Sequence, residues 1–127
     1  MKHNLLLTIL SLLSVLLFTL HVADDMARGL DTAGPQNVFG VLILGVWLYG
    51  ALVLAQRRSG YIIQLLGAIL GLGVVVLHMK GAGYVRVATS SGGFFFVWAL
   101  FALGASALLS LVLSVQGLWS LRRGQNR

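Results

Sequence analysis

The chain has 127 residues, 58% of them hydrophobic and 9% charged, with nine Lys and Arg against three acids and a net charge of +6. Soluble domains carry roughly 25% charged residues, so most of this chain's surface is not built for water. There is no cysteine, which excludes disulfides, thiolate nucleophiles and cysteine metal sites. Such a basic excess in a soluble protein would point to nucleic acid; here membrane topology accounts for it, and no nucleic-acid partner is expected.

The first apolar stretch is Leu5–Ala23. Lys2 followed by an apolar run would suit a secretory signal, but the run continues to Leu20, long for such a segment, and His21 fits a small-residue cleavage site after Ala23 poorly. The stretch is expected to remain as a helix, with His21, Asp24, Asp25 and Arg28 at its far end. A loop follows from Gly29 to Gln36, with Gly34-Pro35. The second stretch, Val38–Ala55, has Trp47 near its middle, and the indole N–H needs an acceptor or a packed pocket. Gln56 to Gly60 is a tight charged turn, and the third stretch is Tyr61–Met79. Lys80 to Gly93 is a longer loop; its Lys80-Gly81-Ala82-Gly83 lacks the residues of a phosphate-cradling motif. The fourth stretch, Phe94–Trp119, opens with Phe94, Phe95, Phe96 and Trp98, an expected outer aromatic belt. Ala102, Ser106, Ser110 and Ser114 follow at four-residue spacing, a small-residue stripe suited to packing against another helix.

Each stretch reaches the roughly 17–20 residues needed to cross about 30 Å of hydrocarbon as a helix. Short connections make neighbouring helices antiparallel. The expected fold is therefore an all-α integral membrane protein, a single domain 1–127 forming a four-transmembrane-helix up-down-up-down bundle. Lys2, Arg57, Arg58, Arg122, Arg123 and Arg127 fall on one side, and Arg28, Lys80 and Arg86 on the other with Asp24, Asp25 and Asp31. The positive-inside rule then puts both termini in the cytoplasm of a cell with this chain in its inner membrane.

The residues that carry chemistry lie in one layer. His21 is 16 residues beyond Leu5, and His78 is 17 beyond Tyr61. At about 1.5 Å per residue the two histidines sit at nearly equal depth near the outer boundary. Helical spacing puts Gln64, Gly67, Gly71 and His78 on one face. The glycine pair marks that face as protein-facing, against the first helix or a second copy. His21 shares a face with Ser14 and Asp25, and Asp24 can pair with Arg28 four residues on. Two imidazoles and a carboxylate suit a borderline divalent metal such as Zn²⁺, so His21, Asp25 and His78 are the candidate ligands. Asp24, Arg28, Lys80, Ser90 and Ser91 are candidate contacts for a polar ligand or lipid head group. Haem between the two histidines is a second reading, although glycines that draw helices together leave little room for a macrocycle. Gln64 and Gln116 are expected to bond across helices on the cytoplasmic side.

Three function classes fit this pattern. The first is a binding or accessory protein with a His/Asp layer at the extracytoplasmic face. The second is a membrane-embedded metal-dependent enzyme acting on a lipid or lipid-linked substrate. The third is an oligomeric transporter with its path between protomers. The expected partners are the lipid bilayer and either a second copy or another membrane protein.

Overall fold

The computed structural model describes residues 2–30, 34–80 and 83–125. Asp31, Gly81, Ala82 and Arg127, named above, lie outside the described residues. Among the described residues the fold is all-α, with helices α1 (Lys2–Ala27), α2 (Pro35–Leu52), α3 (Arg58–Lys80), α4 (Gly83–Ala88) and α5 (Gly93–Gln125). α1, α2, α3 and α5 are each long and apolar enough to cross a membrane. The short α4 sits inside the expected long loop.

The helix ends follow local rules. Gly29 has φ of 68°, and the Leu30 N–H bonds the Asp25 carbonyl while the Gly29 N–H bonds that of Met26. This is a Schellman-type stop, which a glycine makes at little steric cost. α2 starts with Gly34 extended and Pro35 in its first turn, where a missing N–H costs nothing. It ends at Leu52, three residues earlier than expected, because the chain turns sharply there. The Arg57 N–H bonds the Leu54 carbonyl at 2.9 Å, and that carbonyl lies so close to Gly60 that any Cβ there would overlap it. α3 therefore begins inside the charged turn, at Arg58. α5 runs past the apolar stretch through Arg122 and Arg123, good helix formers that also complement the negative end of the helix dipole.

α5 packs along both α1 and α3, and α2 lies against α1 and α3. Tyr61, at the start of α3, donates its hydroxyl to Asn4 at the start of α1. His78, near the end of α3, meets His21 near the end of α1. The start of α5 reaches the same place through Phe96, while Gly117, near the end of α5, abuts the Tyr61 ring. Asn37 at the start of α2 touches Met26 at the end of α1. At the opposite end, Thr8 donates to the carbonyl of Ala51.

The interior mixes apolar side chains such as Leu7, Leu100 and Leu103 with polar ones, and the outside is largely apolar, unlike that of a water-soluble bundle. Ser11, Ser14, Gln64, Ser106, Ser110 and Ser114 are buried, whereas Leu5, Val41, Leu66, Leu77 and Phe94 are among many large apolar side chains left exposed. The buried hydroxyls join helices: Ser11 donates to the Gln64 side-chain carbonyl at 2.9 Å, and Ser14 to Ser106 at 2.9 Å. Gln64 thus bonds α1, not Gln116, which is exposed. The glycine face of α3 is buried as expected, but against other partners. A Cβ at Gly67 would run into the Trp47 indole of α2, and one at Gly71 would crowd Ala107 of α5.

Candidate metal centre

Three side chains converge where α1 and α3 end. His21 Nε2 stands 3.2 Å from His78 Nε2, His78 Nε2 stands 3.1 Å from Asp25 Oδ2, and Asp25 Oδ2 stands 3.4 Å from His21 Nε2. One turn of α1 supplies His21 and Asp25 together, four residues apart on one face. α3 supplies His78 because its glycine face, carrying Gly67 and Gly71, is turned into the protein. The imidazoles meet edge to face, with ring centres 4.4 Å apart.

The triangle has the size of a metal's coordination sphere. Zinc bonds of about 2.0–2.1 Å at tetrahedral angles set neighbouring ligand atoms about 3.3 Å apart. The observed edges bracket that value. The second ring nitrogen of His78 supports the same reading. Nδ1–H donates to the Val74 carbonyl at 2.9 Å, which fixes the neutral ring as the tautomer whose Nε2 lone pair is free. That lone pair then points at a carboxylate oxygen and at a second imidazole. That lone pair is matched either by an Nε2–H on His21 or by a cation lying among the three atoms. His21 Nδ1 and Asp25 Oδ1 are buried without a hydrogen-bond partner. The same three residues form a group with the reach to hold one ion. Haem does not fit, since axial ligands stand on opposite faces of a macrocycle and nitrogens 3.2 Å apart leave no room for one between them.

The surroundings of the triangle were only partly expected. Phe96 is buried, with its ring 5.2 Å from that of His21 and 6.2 Å from that of His78. It belongs to the site and not to the expected aromatic belt, whose other members Phe94, Phe95 and Trp98 are exposed. Below the site, Val75, Leu100 and Leu103, with Leu17, Phe18 and Val74, form an apolar cluster. It separates the histidines from the serine layer beneath. The His78 side chain is 31% exposed and that of Asp25 12%, so the triangle opens on the α3 side.

The candidate polar contacts divide. Arg28 donates to Asp24 at 2.6 Å, to the Ser90 hydroxyl at 2.9 Å and to the Ser91 carbonyl at 3.2 Å. These four residues strap the end of α1 to the turn before α5, with the Ser91 backbone and not its hydroxyl as acceptor. Lys80 is exposed and takes no part in that strap. A cleft of about 350 Å³ borders the triangle at His21, between α1 and the start of α5, lined by Leu17, Leu20, Asp24, Phe95 and Trp98 among others. Comparison of the chain with family models, curated proteins and solved structures found no match.

Proposed function

We propose that this chain is a four-span inner-membrane protein, an up-down-up-down bundle with both termini cytoplasmic. In this reading it binds a borderline divalent cation such as Zn²⁺ at its extracytoplasmic edge. Insertion is supported by the apolar outside: so many exposed leucines, valines and phenylalanines over long helices are stable only where the surroundings are apolar. The alternation of direction is supported by which ends touch, as at Asn4 with Tyr61 and His21 with His78. The concentration of Arg and Lys at the other end supports the orientation.

The observation that carries the metal reading is the His21, Asp25 and His78 triangle, with edges of 3.1 to 3.4 Å and the His78 tautomer fixed by Val74. A binding or accessory role follows from the closed floor. The apolar cluster beneath the ion offers no polar route onward through one protomer. A metal-dependent enzyme is the second reading. Three protein ligands leave a fourth position for water, as in catalytic zinc sites, and the adjacent cleft of about 350 Å³ has an apolar wall suited to a lipid substrate.

Zinc binding by the detergent-purified full chain tests the proposal. One zinc per chain is expected. His21→Ala and His78→Ala should each lower affinity by at least about 100-fold, the upper end of what loss of an outer-shell partner costs. Wild-type protein that takes up no zinc, or variants that bind as wild type does, would sink it.

A further inference from the structure

The end of the bundle opposite the histidines carries a second feature. Two clefts meet at Arg58, Leu118 and Arg122. One, of about 390 Å³, extends to Gln56, Ser120, Leu121 and Gly124. The other, of about 350 Å³, is walled by Ile62, Val115 and Trp119. The first set lies at the helix ends. The second lies one to two turns further along α3 and α5, toward the middle of the bundle, so a polar mouth continues into an apolar channel on the outer surface.

Among the described residues, the Arg58 and Arg122 guanidiniums at the mouth have no acidic partner. Arg58 and Arg122 come from different helices and line both clefts. The acids among the described residues, Asp24 and Asp25, stand at the far end, in the strap and the triangle. The neighbouring Arg123 is already engaged, its guanidinium 4.0 Å over the Trp119 ring, which braces that indole as a wall of the apolar cleft. Two guanidiniums from two helices, unpaired among the described residues and lining the same clefts, fit a phosphate group, which arginine forks match well. An apolar wall leading from that point toward the bundle's middle fits acyl chains.

We infer that the groove between α3 and α5 binds one anionic phospholipid, with its phosphate between Arg58 and Arg122 and an acyl chain along Ile62, Val115 and Trp119. Basic pockets between helices at a cytoplasmic boundary have the right charge and depth for such a head group. This inference rests on the membrane reading above but not on the metal reading. The lipid would seal the α3–α5 seam at the end where Gly117 and Tyr61 pack, coupling bundle stability to membrane composition.

Native mass spectrometry of the full chain, released from nanodiscs of mixed phosphatidylglycerol and phosphatidylcholine, tests it. The expected result is retention of a single phosphatidylglycerol, favoured over phosphatidylcholine by about tenfold or more, as two near-surface arginines imply. The pair R58Q/R122Q should abolish the preference, while R57Q, outside both clefts, should keep it. Equal retention of the two lipids by wild-type protein would overturn the inference, whatever the variants do. Displacement of the lipid by millimolar inorganic phosphate, with phosphate protecting the fold equally well, would also overturn it by marking a free-anion site. Alkaline carbonate extraction separates the two levels. A chain released from membranes would refute insertion itself, whereas a chain that stays embedded yet shows no lipid preference would refute only the lipid site.

Discussion

His78 decides what the triangle can be. With its Nδ1–H given to Val74, the neutral ring offers a lone pair at its other nitrogen, the form in which imidazole binds a metal. His78→Ala should therefore remove most zinc affinity, and Asp25→Asn should weaken it while preserving shape. Asp24→Ala should change it little, because Asp24 is held by Arg28 at 2.6 Å. Calorimetric titration of the three variants checks the ranking. Acidification from about pH 8 to about pH 5 should weaken zinc binding in wild-type protein, since protons compete for the ring nitrogens; affinity independent of pH would argue against imidazole ligands. The convergence of His21, Asp25 and His78 was legible in the sequence, from the equal depth of the two histidines and the four-residue step to Asp25. Phe96 was not, because three consecutive phenylalanines read as a belt. The signal lay in its spacing from Leu100, Leu103 and Ala107, all buried on one face of α5. The Val74 carbonyl had no signal at all, since backbone acceptors leave none in side-chain pattern.

Helix packing is tightest where glycine removes a side chain. Trp47 is 1% exposed and lies over Gly67, so Gly67→Leu should force the indole away and destabilise the bundle by about 1–3 kcal/mol, the usual cost of overpacking. Gly73 provides the contrast. A Cβ there meets nothing within 4 Å, and Gly73→Ala should be neutral or mildly stabilising in a helix. Thermal unfolding in detergent compares the two, and equal effects would contradict a packed Gly67 face. Gln64→Leu should cost a further bond of about 0.6–2 kcal/mol, the range for polar contacts between membrane helices, since it leaves Ser11 without its acceptor. The four long helices were evident from uninterrupted apolar length, and the protein-facing side of α3 from its glycines. Their partners were not, because spacing specifies a face but not what lies across from it. The early end of α2 was equally hidden. It depends on the Leu54 carbonyl packing against Gly60, a contact between residues on either side of the turn.

Over the whole molecule, charge and polarity are sorted by height. The described arginines at the basic end stand apart from Asp24 and Asp25, and the histidine triangle sits with those acids above an apolar floor. This sorting was legible from the positions of Lys, Arg and Asp relative to the apolar stretches, on the expectation that each stretch reverses the side on which the next loop emerges. Tags on the two termini should both be protected from added protease in intact cells and cleaved after permeabilisation. A tag cut from outside would invert the orientation and put the triangle at the cytoplasmic face. In the proposed site two histidines and one carboxylate share an ion. X-ray absorption of the zinc-loaded full chain tests this most directly. The expected spectrum has two imidazole nitrogens and at least one carboxylate or water oxygen at about 2.0–2.2 Å, with the imidazole outer-shell scattering reduced to that of a single ring in any zinc retained by His78→Ala. A zinc shell of oxygen alone in the wild-type protein would contradict it.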